Sequence, residues 1–194
     1  MHQRPRGFVS DTIKETRELL ESEGLPPKVR EEAERFLKEI AERAEAEIAD
    51  YDFFFEHMPS EEDDETLIVL KAHLLIERKT RELVRERLLS SDALEKARLT
   101  SHQLFCLAEA LCLPNPEPKW LWNTARMLNK LRNQLAHNLQ PKNIEREIAS
   151  FTDTFAERYP SNRSLRSCLA FLYAGIAALG DVARDPDFMV RGKR

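Results

Sequence analysis

Hydrophobic positions along this chain recur every three to four residues and nowhere keep a long alternation of period two. In residues 118–139, Leu121, Ala125, Leu128, Leu131, Leu135 and Leu139 fall on one stripe when placed at 100° per residue. That pattern predicts a helix over 118–139. The same spacing, broken by prolines and by capping residues, predicts helices over 11–23, 26–58, 62–89, 92–112, 141–158 and 163–183. Ser10 is positioned to cap the first, and Gly24 to end it. Pro26-Pro27 opens the second, which carries Val29, Ala33, Phe36, Ile40, Ala44 and Ile48 at helical spacing. In 62–89 the stripe reads Leu67, Leu70, Leu74, Val84 and Leu88, with His73, Glu77 and Arg81 interleaved.

These elements predict an all-α protein: an antiparallel helical bundle with short connections, and no internal repeat. Pro59 suggests a division into an N-terminal helical segment, 1–58, and a bundle, 59–194. The first piece either stands as a separate hairpin or packs on the bundle.

Composition narrows the chemistry. The chain has 194 residues, 42% of them hydrophobic, which fits one domain with an appendage. No apolar run is long enough to span a membrane. The opening "MHQRPRGFVSDT" lacks the apolar core of a secretory signal. Cys106, Cys112 and Cys168 are odd in number and lack C-x-x-C spacing, so buried thiols in a reducing cytoplasm are expected rather than a zinc site or disulfides. His73 and Glu77 lack further ligands at metal-binding spacing, and no phosphate-cradling glycine loop exists, so neither metal nor cofactor is expected. Net charge is −4, yet residues 118–144 hold Lys119, Arg126, Lys130, Arg132 and Lys142 and no acid, leaving −9 on the remainder. A basic patch on an acidic body suits a compact anionic site.

One cation sits in the wrong place. Arg132 falls about 40° from Leu128, within the apolar stripe or at its edge. A buried guanidinium needs an anion or several acceptors, unless its stem packs while its head reaches water. Glu77 is a candidate ion partner, or it pairs with Arg81 four residues on along the same helix, and the local pair is the commoner outcome. His137 lies roughly 140° around the helix from Arg132, on a polar face with Trp122, Arg126, Asn129 and Asn133. The two serve one site only if the helix deforms near its end or a second copy closes a cleft over this edge.

Arg132, Asn133 and His137 read R-N-x3-H inside "LNKLRNQLAH". This resembles the R-x4-6-H signature of the HEPN family (higher eukaryotes and prokaryotes nucleotide-binding domains), with its polar residue after the arginine. Upstream, "HLLIERKTRELV" resembles the family's earlier helix, with Glu77 at its acidic position. The resemblance covers residues 65–183.

The resemblance implies a HEPN-like bundle that dimerises with its signature helices beside a shared cleft. It implies a metal-independent endoribonuclease of the toxin or defence type, with RNA as substrate and an antitoxin protein as a further partner. The alternative is a family member without activity that serves as a binding or regulatory dimerisation module. Carried over, Arg132 holds the scissile phosphate, Asn133 supports it or orients the histidine, and His137 transfers the proton. Asn129, Lys130 and Arg126 are the candidate substrate-binding residues around them. The chemistry is coherent, because arginine grips phosphate in a fork and histidine titrates near neutrality.

Overall fold

The computed structural model describes residues 20, 26–112, 119–138, 143–156 and 164–184. The expected helix over 11–23 lies outside the described residues except for Leu20, which is helical. Among the described residues every regular element is a helix. They are α1 (Pro27–His57), α2 (Glu65–Arg85), α3 (Ser91–Lys96), α4 (Ser101–Leu111), α5 (Lys119–His137), α6 (Ile144–Ala156) and α7 (Leu165–Arg184). The protein is all-α, as the periodicity predicts.

The chain divides into two compact units, Met1–Ala49 and Asp50–Arg194. This boundary falls inside α1, earlier than the punctuation at Pro59 suggests. The reason is packing. Phe54 is fully buried against Tyr173 of α7, with ring centroids 4.9 Å apart, and Met58 is also in the core. Asp50 accepts a 2.5 Å hydrogen bond from Lys79 of α2. The last turns of α1 therefore belong to the second unit. In the first unit, Val29 and Ile48 are both exposed, so neither end of the expected α1 stripe is in a core.

Within the second unit, α2 packs against α4, α5 and α7, and α5 against α4, α6 and α7. Asp64 caps α2, accepting a hydrogen bond from the Thr66 amide at 2.7 Å. The face that α2 buries is not the leucine stripe. Ile68, Val69, Ala72, Leu75, Ile76 and Leu83 fill the core, while Leu67 and Leu74 are exposed. Residues 74 and 76 are separated by 200° on a helix, so burying one arc turns the other outward. The arc of Ile68 through Leu83 is wider and more continuous, and it wins. Val84 meets the core from the flank between both arcs, and Leu88, beyond the end of α2, packs against it.

The helix expected over 92–112 is two. Arg98 takes a left-handed conformation (φ 47°), and Thr100 then starts α4 with a capping box: its hydroxyl accepts from the Gln103 amide while the Gln103 side chain accepts from the Thr100 amide. The signal was present as Thr100-Ser101-His102-Gln103, the S/T-x-x-Q form of that box. Between α5 and α6, Asn143 is also left-handed (φ 61°), a conformation asparagine tolerates. All three cysteines are free thiols, and burial pushes the Cys168 thiol up to about 11.

Candidate functional site

The expected core of α5 is present. Leu121, Ala125, Leu128 and Leu131 are buried, as are Trp122 and Thr124. Trp122 thus departs from the polar face that the helical wheel assigns to it, being only 1% exposed. Near its start, α5 is enclosed on several sides, and an indole there is worth more inside than in water. Gly175 of α7 helps, since a Cβ there would lie 2.8 Å from Leu121 Cδ1.

One turn further along, Asn129 reaches α2. Its Oδ1 lies 3.1 Å from Nε2 of His73, a histidine 1% exposed. With that oxygen accepting, Nε2 carries the proton and Nδ1 holds a lone pair. Nδ1 is buried without a hydrogen-bond partner, and Glu77 Oε2 stands 3.9 Å away, beyond hydrogen-bonding range. Burial holds the His73 pKa below its usual value, and the Arg132 charge pushes the same way. Glu77 and the Asn129 hydrogen bond oppose this. His73 is therefore a neutral, enclosed histidine joining α2 to α5. The Phe105 ring of α4 meets it edge-on at 6.3 Å between centroids.

Glu77 is not the partner of Arg132. It accepts from Arg81 Nη2 at 3.1 Å and from the Ser101 hydroxyl at 2.6 Å, so the local i, i+4 pair is the one formed and the carboxylate ties α2 to α4. Arg132 instead donates from Nη1 to Asn133 Oδ1 at 2.9 Å. Its side chain is half-buried, and no carboxylate pairs with it among the described residues. This is the behaviour of a stem packed at the edge of a stripe with its head towards solvent.

The candidate substrate-binding residues are engaged within the fold. Arg126 donates to Glu109 of α4 at 2.6 Å and to Asn123 at 2.6 Å. Lys130 pairs with Glu147 of α6 at 3.1 Å. The Gln134 amide donates to Glu147 at 2.9 Å and, with Lys130, holds that carboxyl below its ordinary range. Asn129 is occupied through its oxygen by His73. The basic window looked unopposed because its counter-charges come from α4 and α6, distant in sequence and adjacent in space.

His137 is exposed in the last turn of α5. The helix runs unbroken from Lys119 to His137, so the angular divergence of Arg132 and His137 stands within one chain. Among the described residues no three of His, Cys, Asp and Glu gather closely enough to hold a metal ion. None of the described helices is long and apolar enough to cross a membrane.

The fold and its polar contacts define an all-α bundle in which side chains of α2, α4, α5 and α6 are cross-linked by hydrogen bonds and ion pairs. No family model, curated protein or solved structure matches this chain.

Proposed function

We propose that the chain is a HEPN-like, metal-independent endoribonuclease that acts as a homodimer with a shared cleft. The observation that carries this reading is the condition of Arg132. Arg81, Arg126 and Lys130 each have a carboxylate partner, whereas Arg132 has only the neutral Asn133 oxygen among the described residues. A guanidinium with one nitrogen held and its remaining donors unmatched by an acid is suited to grip a phosphate in a fork.

In this reading Arg132 binds the scissile phosphate and neutralises the charge that builds on it. Asn133 fixes the guanidinium, a role its 2.9 Å contact supports better than orienting His137. His137, exposed at the end of α5, removes the 2′-hydroxyl proton or protonates the leaving oxygen. The 2′-oxygen attacks phosphorus, the 5′-oxygen leaves, and a 2′,3′-cyclic phosphate results. Because Arg132 and His137 point apart, the second copy supplies the opposite wall and the complementary acid or base. Free thiols fit a reducing cytoplasm, and a toxin or defence role brings an antitoxin protein as partner.

That same divergence favours the second reading, a HEPN-like binding or regulatory dimerisation module that performs no chemistry. The deciding experiment is incubation of purified protein with mixed RNA in EDTA beside the His137→Ala variant. Cleavage by the wild type alone supports the enzyme. Equal inertness of both, with the fold intact, gives the binding module.

A further inference from the structure

Two side-chain oxygens late in α5 are engaged inside the protein, while the donors beside them are not. His73 Nε2 donates to Asn129 Oδ1 at 3.1 Å, and Arg132 Nη1 donates to Asn133 Oδ1 at 2.9 Å. Among the described residues neither amide nitrogen has an acceptor, and the guanidinium has no carboxylate. Asn129, Arg132 and Asn133 stand at i, i+3 and i+4 on one unbroken helix, so their side chains are neighbours. With both oxygens taken, this stretch offers a ligand N–H groups alone. A phosphodiester, which presents acceptor oxygens and negative charge, is the group that such a set matches.

We propose that His73 is a positioning residue for RNA binding: it fixes the Asn129 amide with its oxygen inward and its nitrogen outward, so that Asn129 and Arg132 hold one phosphate together. The role rests on the RNA-binding part of the proposed function and not on proton transfer by His137.

The ring of His73 is well placed for this. It is 1% exposed, and Phe105 meets it edge-on. Its Nδ1 is buried without a hydrogen-bond partner, and the nearby Glu77 carboxylate is held by Arg81 and the Ser101 hydroxyl. Among the described residues, the bond from Nε2 to Asn129 is therefore the one hydrogen bond the ring makes. An amide's oxygen and nitrogen are alike in size, so the hydrogen bond decides which of them turns inward. A bare Nε2 would draw the Asn129 nitrogen in and aim its oxygen at the phosphate, where like partial charges repel. The place of one buried proton thus sets whether α5 shows the phosphate a donor or an acceptor. The Arg132 charge acts on His73, which sets the guanidinium close to this junction.

Two measurements on the full chain test this. Nitrogen NMR of the histidine side chains at neutral pH, with His73 assigned by its loss in His73→Gln, should show the proton on Nε2 and a bare Nδ1. The reverse tautomer overturns the proposal, because it turns the Asn129 oxygen outward. Binding is read with a 2′-O-methyl RNA oligonucleotide, which lacks the attacking hydroxyl and so is bound without being cut. Asn129→Ala should weaken binding about tenfold, the low end for a hydrogen bond to a charged group. His73→Leu should weaken it about two- to tenfold, the cost of ordering one side chain on binding. His73→Gln keeps a donor for Asn129 and should bind as wild type does. If His73→Leu and Asn129→Ala melt lower yet bind RNA unchanged, the pair is a helix joint only and the proposal falls. Loss of binding in Arg132→Ala would in that case leave Arg132 as the phosphate ligand and the proposed function standing. A wild type that does not bind the oligonucleotide overturns both.

Discussion

His73 on α2 and Asn129 on α5 are 56 residues apart in sequence and 3.1 Å apart in space. The contact makes a buried, neutral imidazole part of the joint between the helix that carries the Glu77 network and the helix that carries Arg132. Its acid response has a definite sign. The His73 pKa in the folded protein lies below the ordinary 6.5, chiefly through burial. The unfolded chain therefore binds a proton that the folded chain refuses, and stability is complete above pH 6.5 and declines as pH falls below it. Denaturant melts at neutral and mildly acidic pH should show this decline. His73→Gln, which retains a donor for Asn129, should flatten it. An identical slope in the variant would assign the pH response to another group. Glu147 is distinguishable, since its lowered pKa moves stability only below the carboxylate value of 4.5.

Glu77→Ala should cost about 1–2 kcal/mol, the sum of a partly exposed ion pair and one charge-assisted hydrogen bond. That is less than the ~3–5 kcal/mol expected when a fully buried pair is broken. A double-mutant cycle between Glu77→Ala and Arg132→Ala should give coupling below about 0.5 kcal/mol, because the two share no bond. Strong coupling would restore the long-range pair that the contacts of Glu77 with Arg81 and Ser101 replace.

Arg132→Lys separates charge from geometry. Lysine keeps the positive charge and loses the planar fork, so RNA affinity should weaken while the melting temperature barely moves. Arg126→Ala should behave the other way. It removes the 2.6 Å tie to Glu109 between α4 and α5 and should lower stability more than it lowers RNA binding.

His137→Ala should reduce RNA cleavage by about 10²–10⁴-fold, the range for loss of a general acid or base. Its exposed ring makes no core contact, so helix content and melting should match wild type. Wild-type cleavage should persist in EDTA, leave cyclic phosphate ends and spare DNA, which lacks the attacking hydroxyl. DNA cleavage at a comparable rate would refute the 2′-hydroxyl mechanism.

Thr100→Ala should destabilise by about 0.5–2 kcal/mol through loss of the α4 cap, whereas Thr100→Ser should be nearly neutral. Equal losses in the two variants would mean that the threonine methyl, and not the hydroxyl, matters.

Much of the fold was legible in residue order alone. Period-3.6 patterning and the placement of proline and glycine predicted helices throughout, and α5 has its core at Leu121, Ala125, Leu128 and Leu131 as the wheel required. Local chemistry was equally readable where it acts within one turn. The Glu77–Arg81 pair follows from i, i+4 spacing, and the Thr100 capping box follows from Thr100 and Gln103, although the periodicity of 92–112 runs through it without a break.

Tertiary structure decided what periodicity leaves degenerate. On α2 two apolar arcs compete, and only the neighbouring helices determine that Ile68 and Ile76 go in while Leu67 and Leu74 stay out. The basic character of α5 was also a property of sequence proximity alone. In space, Glu109 and Glu147 reach Arg126 and Lys130 from other helices, whereas among the described residues Arg132 has the neutral Asn133 oxygen and no carboxylate. Residue order specifies which groups a helix presents at each angle. Which of them meet a counter-charge, a core or water depends on the packing of elements dozens of residues away, because burial and pairing energies act through space.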